Sequence, residues 1–310
     1  MRQITLPNQT SRHYLHKQII KFSHFLDLPL HFNKTGPKKF TNYQRLGLIV
    51  LFLRSRKSLR DFTKELCELK WTSWLGLKFL PGKSTLHDWL KMFDMQTIRQ
   101  LLQYLLAEEK PSLMAIDATG IDSWQRSRHY QWRIGEPQMP YVKLDIIVDV
   151  RSKLIHDFTI RTKPRHDVIG ATSIFKRMKH KGVKILADKG YDSEPLHELA
   201  QEMGNSMYAP VRKSNRKKPR GRFRQRCVEK DKDYPMRNIV ENTFMVLKQV
   251  RVNAMKSKKA VMKKREIAWH IVIHNLEKMN KATTLFIWMI NNPFRTRPFF
   301  PLSFYISLGN

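Results

Sequence analysis

The stretch Tyr234-Pro-Met-Arg237-Asn-Ile-Val-Glu241-Asn-Thr-Phe-Met-Val-Leu-Lys248 decides how the rest of the chain is interpreted. Pro235 can open an α-helix, because the first turn makes no use of the N–H that proline lacks. On that helix Arg237, Glu241 and Lys248 fall within about 40° of one another, while the apolar residues point mostly the other way. The sequence therefore predicts one buried face and a polar stripe with a carboxylate, two cations and, at the helix entrance, the Tyr234 phenol.

The composition indicates a folded protein with a polyanionic partner. The chain has 310 residues, enough for a full core and for two domains. Its formal charge is +32, whereas solubility alone needs a net charge of only about 2–8. Hydrophobic residues make up 41%, with seven Trp and seventeen Phe, so the charge belongs to a folded body and not to a disordered tail. Nucleic acid is the partner that these features favour.

The two cysteines and the length of the apolar runs indicate the cellular compartment. Cys67 and Cys227 lie far apart with no Cys-x-x-Cys pair, which disfavours a disulfide framework or a Cys-ligated zinc site. The N-terminal residues lack the apolar block of a signal peptide, and the uncharged runs 282–294 and 298–310 are too short to span a membrane. We expect a cytoplasmic, nucleoid-associated protein with no membrane contact and no small-molecule cofactor.

Residues 1–110 are predicted to form an all-helical DNA-binding region. Helices are expected at 43–54, at 58–69 with Ser58 as cap, and at 97–107. After Pro81-Gly82, Ser84 or Thr85 could cap another helix, so residues 58–96 could form a helix-turn-helix unit. Its exposed residues would be Lys83, His87, Asp88 and Lys91. The alternative is a plain helical hairpin that only packs.

Residues 111–280 have the pattern of a mixed α/β sheet flanked by helices. Strands are expected at 113–117, 139–150, 154–161, 183–188 and 206–211, and helices at 167–180, 193–203 and 263–279. Residues 281–310 form an apolar tail to which the sequence assigns no role.

Three carboxylates can converge at one edge of this sheet. Asp117 and Asp188 each end an apolar run typical of a buried strand, and Glu241 lies on the downstream helix. Carboxylates brought that close cannot all stay ionised without a cation between them. All-oxygen ligands suit Mg²⁺ or Mn²⁺, and two such ions serve phosphoryl transfer.

The residues around these acids resemble a known family. The order Asp117, Asp188, Glu241 with the spacing Tyr-x2-Arg-x3-Glu-x6-Lys resembles the DDE transposases of insertion sequences, over about residues 110–280. So do the contexts Ala-Ile-Asp117-Ala-Thr-Gly and Leu-Ala-Asp188-Lys-Gly-Tyr-Asp.

The resemblance implies an RNase-H-like catalytic core in which Asp117 is on the first strand, Asp188 on the fourth and Glu241 on a following helix. It further implies that Arg237 and Lys248 contact the DNA backbone and that Tyr234 touches a phosphate. The expected activity is metal-dependent cleavage at the ends of an insertion sequence, with joining of the 3′-hydroxyl to target DNA. The expected partners are terminal inverted repeats and target DNA, bound by a homodimer or larger assembly, because two ends must be handled together.

A cluster of nine cations precedes the signature stretch within a predicted basic loop at 212–233. These residues are Arg212, Lys213, Arg216, Lys217, Lys218, Arg220, Arg222, Arg224 and Arg226. Beside a site for phosphoryl transfer they favour DNA-backbone binding. The alternative is a solvated or disordered loop.

Several other residues allow two interpretations. His166 could support the active edge or cap a helix, and Trp124 and Trp132 could stack on an unpaired base or pack in the core. The pair His270 and His274 could bind zinc, although helix packing is the plainer interpretation. The competing carboxylates are Asp122, Asp145, Asp149 in a predicted hairpin turn, and Asp192 at a predicted helix N-terminus.

Two further functions fit the same residues. One is a DNA-binding protein without catalysis, such as a decayed element or a repressor, and the other is a structure-specific nuclease that cuts without joining. An RNA-binding module is disfavoured, because no aromatic RNA-binding motif is present.

Overall fold

A five-stranded mixed sheet with helices on both faces lies at the centre of the described chain. The structure is a computed structural model that describes residues 7–32, 34–122, 133, 141–162, 166–212, 219–252, 255, 257 and 259–291. The predicted mixed α/β architecture is confirmed. Within these residues no helix combines the length and the apolar character that crossing a membrane requires.

The elements described before the sheet are helices. They are α1 (Pro7–Phe25), α2 (Asn42–Ser55), α3 (Leu59–Glu65), α4 (Trp71–Trp74), α5 (Lys83–Met92) and α6 (Met95–Leu105). Ser58 caps α3 as predicted, because its hydroxyl accepts a hydrogen bond from the N–H of Asp61. The prediction for α5 was wrong: Gly82 is its N-cap, and Ser84 and Thr85 lie inside the helix.

The segment between α3 and α5 is more elaborate than a simple turn. A 3-10 turn (Leu66–Glu68) follows α3, and the short helix α4 comes next. The rings of Trp71 and Trp74 pack edge to face with centroids 5.1 Å apart, which stabilises this one-turn helix. We predicted only a helix, a turn and a second helix here and missed α4, because four residues are too few to show a helical period.

The strands follow in the predicted order. They are β1 (Leu113–Asp122), β2 (Tyr141–Asp149), β3 (Ile155–Arg161), β4 (Lys184–Ala187) and β5 (Ser206–Tyr208), arranged β3-β2-β1-β4-β5. Strand β1 pairs antiparallel with β2 and parallel with β4. It continues past Asp117, where we expected it to end, because β2 pairs with it as far as Asp122.

The hairpin between β2 and β3 closes as predicted. The carboxylate of Asp149 accepts hydrogen bonds from the N–H groups of Arg151 and Ser152 and from the Ser152 hydroxyl. This is the turn chemistry expected of aspartate.

Helices cover both faces of the sheet. They are α7 (Asp167–Arg177), α8 (Glu194–Glu202), α9 (Arg222–Arg226), α10 (Asn238–Met245) and α11 (Ala260–Asn291). Helix α11 extends beyond the predicted 263–279, because no helix breaker occurs in the sequence before Pro293. It contacts α1, α2 and α6 as well as β3, so its central residues are buried all round.

The pleat of β1 separates two hydrophobic clusters. Ala115 and Ile121 pack on the side of α10 and α11, in a cluster continuous with the N-terminal helices. Met114 and Ile116 pack on the side of α7 and α8. Because side chains alternate along a strand, Asp117 belongs to the first face and lies opposite α10.

A buried ion pair lies on the other face, beneath α7. Asp145 is fully buried, and its carboxylate accepts from Arg161 with an Nη2–Oδ1 distance of 2.6 Å. Gly170 of α7 allows this packing, since a Cβ there would overlap the Asp145 carboxylate. Burial raises the pKa of Asp145 to about 6 despite Arg161. This competing carboxylate is therefore a structural residue on the opposite face from Asp117.

Candidate active site

Two of the predicted acids lie side by side on neighbouring parallel strands. The register of β1 and β4 pairs Ile116 with Ala187. Asp117 and Asp188 are the next residues of their chains, so both reach the same edge of the sheet. Asp188 follows the last residue of β4 and is the N-cap of a 3-10 turn (Lys189–Tyr191). Parallel pairing thus brings together two acids that are distant in sequence.

Glu241 is brought to this edge by α10. Val240 and Phe244 are buried in the core under β1, which leaves Glu241 on the outer side with 56% of its side chain exposed. The Arg237 guanidinium lies between two of the acids. Its Nη2 donates to Glu241 Oε1 at 2.7 Å, and its Nη1 donates to Asp117 Oδ2 at 3.2 Å.

The signature stretch is not the single α-helix that we predicted. Residues Tyr234–Arg237 form a 3-10 turn, α10 follows, and Val246–Arg251 form a π-helix. The N–H of Val252 donates to the carbonyl of Leu247 at 2.7 Å, the five-residue step of a π-helix. Arg237 and Glu241 keep the expected spacing of four residues and form an ion pair. Lys248 lies in the π-helix, where the angle per residue differs from the α-helical value that we assumed.

The negative charges of Asp188 and Glu241 act on the carboxyl group of Asp117. Burial is the chief cause that raises the pKa of Asp117, and the charges of Asp188 and Glu241 raise it further. The Ala118 N–H and Arg237 lower the same pKa but do not cancel these effects. Burial also raises the pKa of Tyr234, with a smaller contribution from Asp188. The Tyr234 ring packs against Tyr208 of β5, with centroids 5.5 Å apart.

The three carboxylates are suitable ligands for a hard divalent cation, although they are not arranged around a common centre. Among the described residues no group of three His, Cys, Asp or Glu side chains is placed to hold a metal ion. Arg237 lies between Asp117 and Glu241 and pairs with both. Carboxylate oxygens are ligands that Mg²⁺ prefers. Asp117, Asp188 and Glu241 could therefore hold such an ion once Arg237 moves.

Two arginines of the basic segment, Arg212 and Arg224, bind other groups of the protein. Arg224 pairs with Asp192, whose side chain is fully buried, and the N–H of Arg212 donates to the same carboxylate. The Arg212 guanidinium donates to the carbonyls of Lys189 and Gly190, next to Asp188. Asp192 lies at a helix N-terminus as predicted, directly before Ser193, the N-cap of α8. Its carboxylate, however, binds Arg224 and the N–H of Arg212, which the sequence did not indicate. Arg224 is likewise an internal partner and not a free surface cation.

Helix α9, at the end of this segment, is held by Glu194. Glu194 accepts hydrogen bonds from the N–H groups of Phe223 and Arg224, which caps α9 from outside. Gly221 makes this possible, because its φ is +105° and a Cβ would overlap Glu194. Among the described cations of the segment, Arg212, Arg220, Arg222 and Arg226 are exposed to solvent. Lys213, Arg216, Lys217 and Lys218 lie outside the described residues.

The other described candidate residues cap a helix, are buried within a helix or lie on an exposed helix surface. His166 is the N-cap of α7, where its Nδ1 accepts from the N–H of Val168. His270 and His274 are buried in α11, and His274 approaches the Lys153 carbonyl at 3.4 Å. Lys83 and Lys91 are exposed on α5, where Lys91 pairs with Asp88. Trp124 and Trp132 lie outside the described residues.

Two residues near the site were missed. Lys184 of β4 bridges Asp231 and Asp233, which anchors the chain just before Tyr234. Tyr191 is buried, and within the described part of the chain its hydroxyl has no hydrogen-bond partner. The charges of Asp117 and Asp145 add to the burial that raises the Tyr191 pKa. The Asp188-Lys-Gly-Tyr motif was the only sequence signal for Tyr191, and none marked Lys184.

Comparison with known proteins places the chain in a family. Residues 108–276, more than half of the chain, match the family model described as "Transposase DDE domain". No curated protein sequence matches. Among solved structures the chain is similar to one described as a cryo-EM structure of piggyBac transposase synaptic complex with hairpin DNA. The two are 13% identical over 100% of this chain and 86% of that chain, with a TM-score of 0.44. On the evidence of the family match, the chain belongs to the DDE-domain transposases.

Proposed function

We propose that the chain cleaves the ends of an insertion sequence and joins the resulting 3′-hydroxyl to target DNA, on an RNase-H-like core. The observation that carries this proposal is the juxtaposition of Asp117 and Asp188 on adjacent parallel strands, with Glu241 linked to Asp117 through Arg237. The strand order β3-β2-β1-β4-β5 supports the assignment of the core.

In this proposal Asp117, Asp188 and Glu241 hold two Mg²⁺ or Mn²⁺ ions. When bound, these ions supply Lewis-acid activation of the attacking oxygen and charge stabilisation at the leaving oxygen. The protein contributes positioning and electrostatics. The central strand holds Asp117 rigidly, because its Oδ1 accepts from the Ala118 N–H at 2.7 Å.

Cations around the acids would hold the DNA. Lys248 and Arg237 are proposed to contact backbone phosphates and Tyr234 a phosphate near the cut. Arg220, Arg222 and Arg226, fixed beside the turn after Asp188, would follow the duplex together with Lys213, Lys217 and Lys218. Lys83 and Lys91 on α5 are proposed to contact the terminal repeats. Because two ends react together, we propose a homodimer or larger assembly on DNA.

A cleavage and joining assay tests this function. The purified protein is incubated with Mg²⁺ and a plasmid that carries the inverted repeats flanking the gene, and products are mapped at nucleotide resolution. We expect cuts at the repeat ends that leave 3′-hydroxyls, and joining of precut ends to a second plasmid. EDTA should prevent both. Cutting without joining would indicate a nuclease, and binding without cutting would indicate a catalytically decayed protein; either result would overturn the proposal.

A further inference from the structure

The Arg237 guanidinium lies between Asp117 and Glu241, two acids of the proposed ion site. Its two terminal nitrogens donate to Asp117 and Glu241, and only 13% of its side chain is exposed. Both oxygens of Asp117 are engaged, because Oδ1 accepts from the Ala118 N–H and Oδ2 from Arg237. A divalent ion at Asp117 Oδ2 would also lie next to the positive charge of Arg237, so the guanidinium opposes ion binding until it withdraws.

Arg237 has hydrogen-bonding capacity that its present partners do not use. Its partner Glu241, four residues further along the chain, is more than half exposed, so solvent and DNA can reach this side of the pair. Within the described residues, its Nε is buried without a hydrogen-bond partner, which is an unfavourable state for a donor. A phosphate could satisfy these donors, since guanidinium groups bind phosphate in a bidentate manner.

We propose that Arg237 is a resident counter-cation that a DNA phosphate draws away from Asp117 and Glu241, so that DNA binding opens the site to divalent ions. This inference rests on the proposed function, because it assumes that these acids hold the catalytic ions. Coupling of this kind is reciprocal, so divalent ions should also strengthen DNA binding. Without DNA, the protein would then bear a closed ion site that cannot support unspecific cutting.

The test measures Mn²⁺ affinity by the loss of the free-ion signal in electron paramagnetic resonance, without DNA and with a saturating duplex from the flanking repeat. Wild type, Arg237→Met and Arg151→Met are compared. Arg151→Met is the matched control, because Arg151 is an exposed arginine in the β2–β3 turn and its loss changes the net charge equally. Arg237→Gln serves as a second variant, and circular dichroism checks that each protein is folded.

Without DNA, we expect Arg237→Met to bind Mn²⁺ about tenfold more tightly than wild type and Arg151→Met to match wild type. DNA should raise the wild-type affinity about tenfold and that of Arg237→Met much less. Equal Mn²⁺ affinity of wild type and both Arg237 variants without DNA would overturn the inference, even if DNA cleavage proceeds. If Asp117→Asn leaves Mn²⁺ binding to the DNA complex unchanged, the proposed function fails instead.

Discussion

The Asp117→Asn variant is expected to lose at least about a thousandfold in the rate of strand cleavage, while its DNA affinity, measured in EDTA without divalent ions, stays within about twofold of wild type. Asparagine preserves the shape of the side chain and can still accept from the Ala118 N–H. It removes the negative charge at the centre of the acid cluster, where Asp188 and Glu241 act on the same carboxyl. Single-turnover cleavage of an end-labelled duplex, with a parallel gel-shift titration, measures both quantities.

Asp122→Asn is the matched control for this variant. Asp122 lies five residues further along β1, is exposed, and by strand alternation belongs to the opposite face of the sheet. Its removal should leave cleavage unchanged. Cleavage by Asp117→Asn at more than about a tenth of the wild-type rate would remove Asp117 from the catalytic assignment.

Arg161→Met is expected to lower the free energy of unfolding by about 3–5 kcal/mol, the largest stability effect that we expect from a single substitution. Arg161 donates twice to Asp145 through Nη2 and once through Nε, and the Asp145 side chain is fully buried. Without Arg161 the carboxylate would remain beneath α7 with its main counter-charge removed. Urea denaturation at neutral pH, followed by circular dichroism, measures the change.

The double variant Asp145→Asn/Arg161→Met should recover at least half of this loss, because a buried pair is mainly costly when one partner is removed alone. Arg151→Met, an exposed arginine in the β2–β3 turn, should change stability by less than about 0.5 kcal/mol. If Arg161→Met costs no more than this control, the ion pair has no structural role.

Local patterns predicted the order of the strands and helices, because apolar runs and turn residues lie within a few positions of one another. The placement of Asp117 beside Asp188 was also predictable, since both acids follow apolar runs and parallel strands align their ends. The Asp149 turn and the Ser58 cap were likewise found from residues adjacent in sequence.

Features that depend on distant partners were not predictable. Arg237 and Asp117 are 120 residues apart, so no sequence period could show that the guanidinium binds this acid. The position of Asp192 before a helix was predicted, but its pairing with Arg224 was not, because Arg224 lies 32 residues further along the chain. The π-helix after α10 was missed since the residues of the signature stretch fit an ordinary α-helical period equally well.

The central claim is that Asp117, Asp188 and Glu241 together bind divalent ions when DNA is present. Anomalous diffraction from crystals of the protein with a repeat-end duplex and Mn²⁺ measures this directly. We predict manganese peaks within coordination distance of all three carboxylates, with Arg237 turned toward a phosphate. Manganese bound elsewhere, with Arg237 still joined to Asp117 and Glu241 in the DNA complex, would contradict the account.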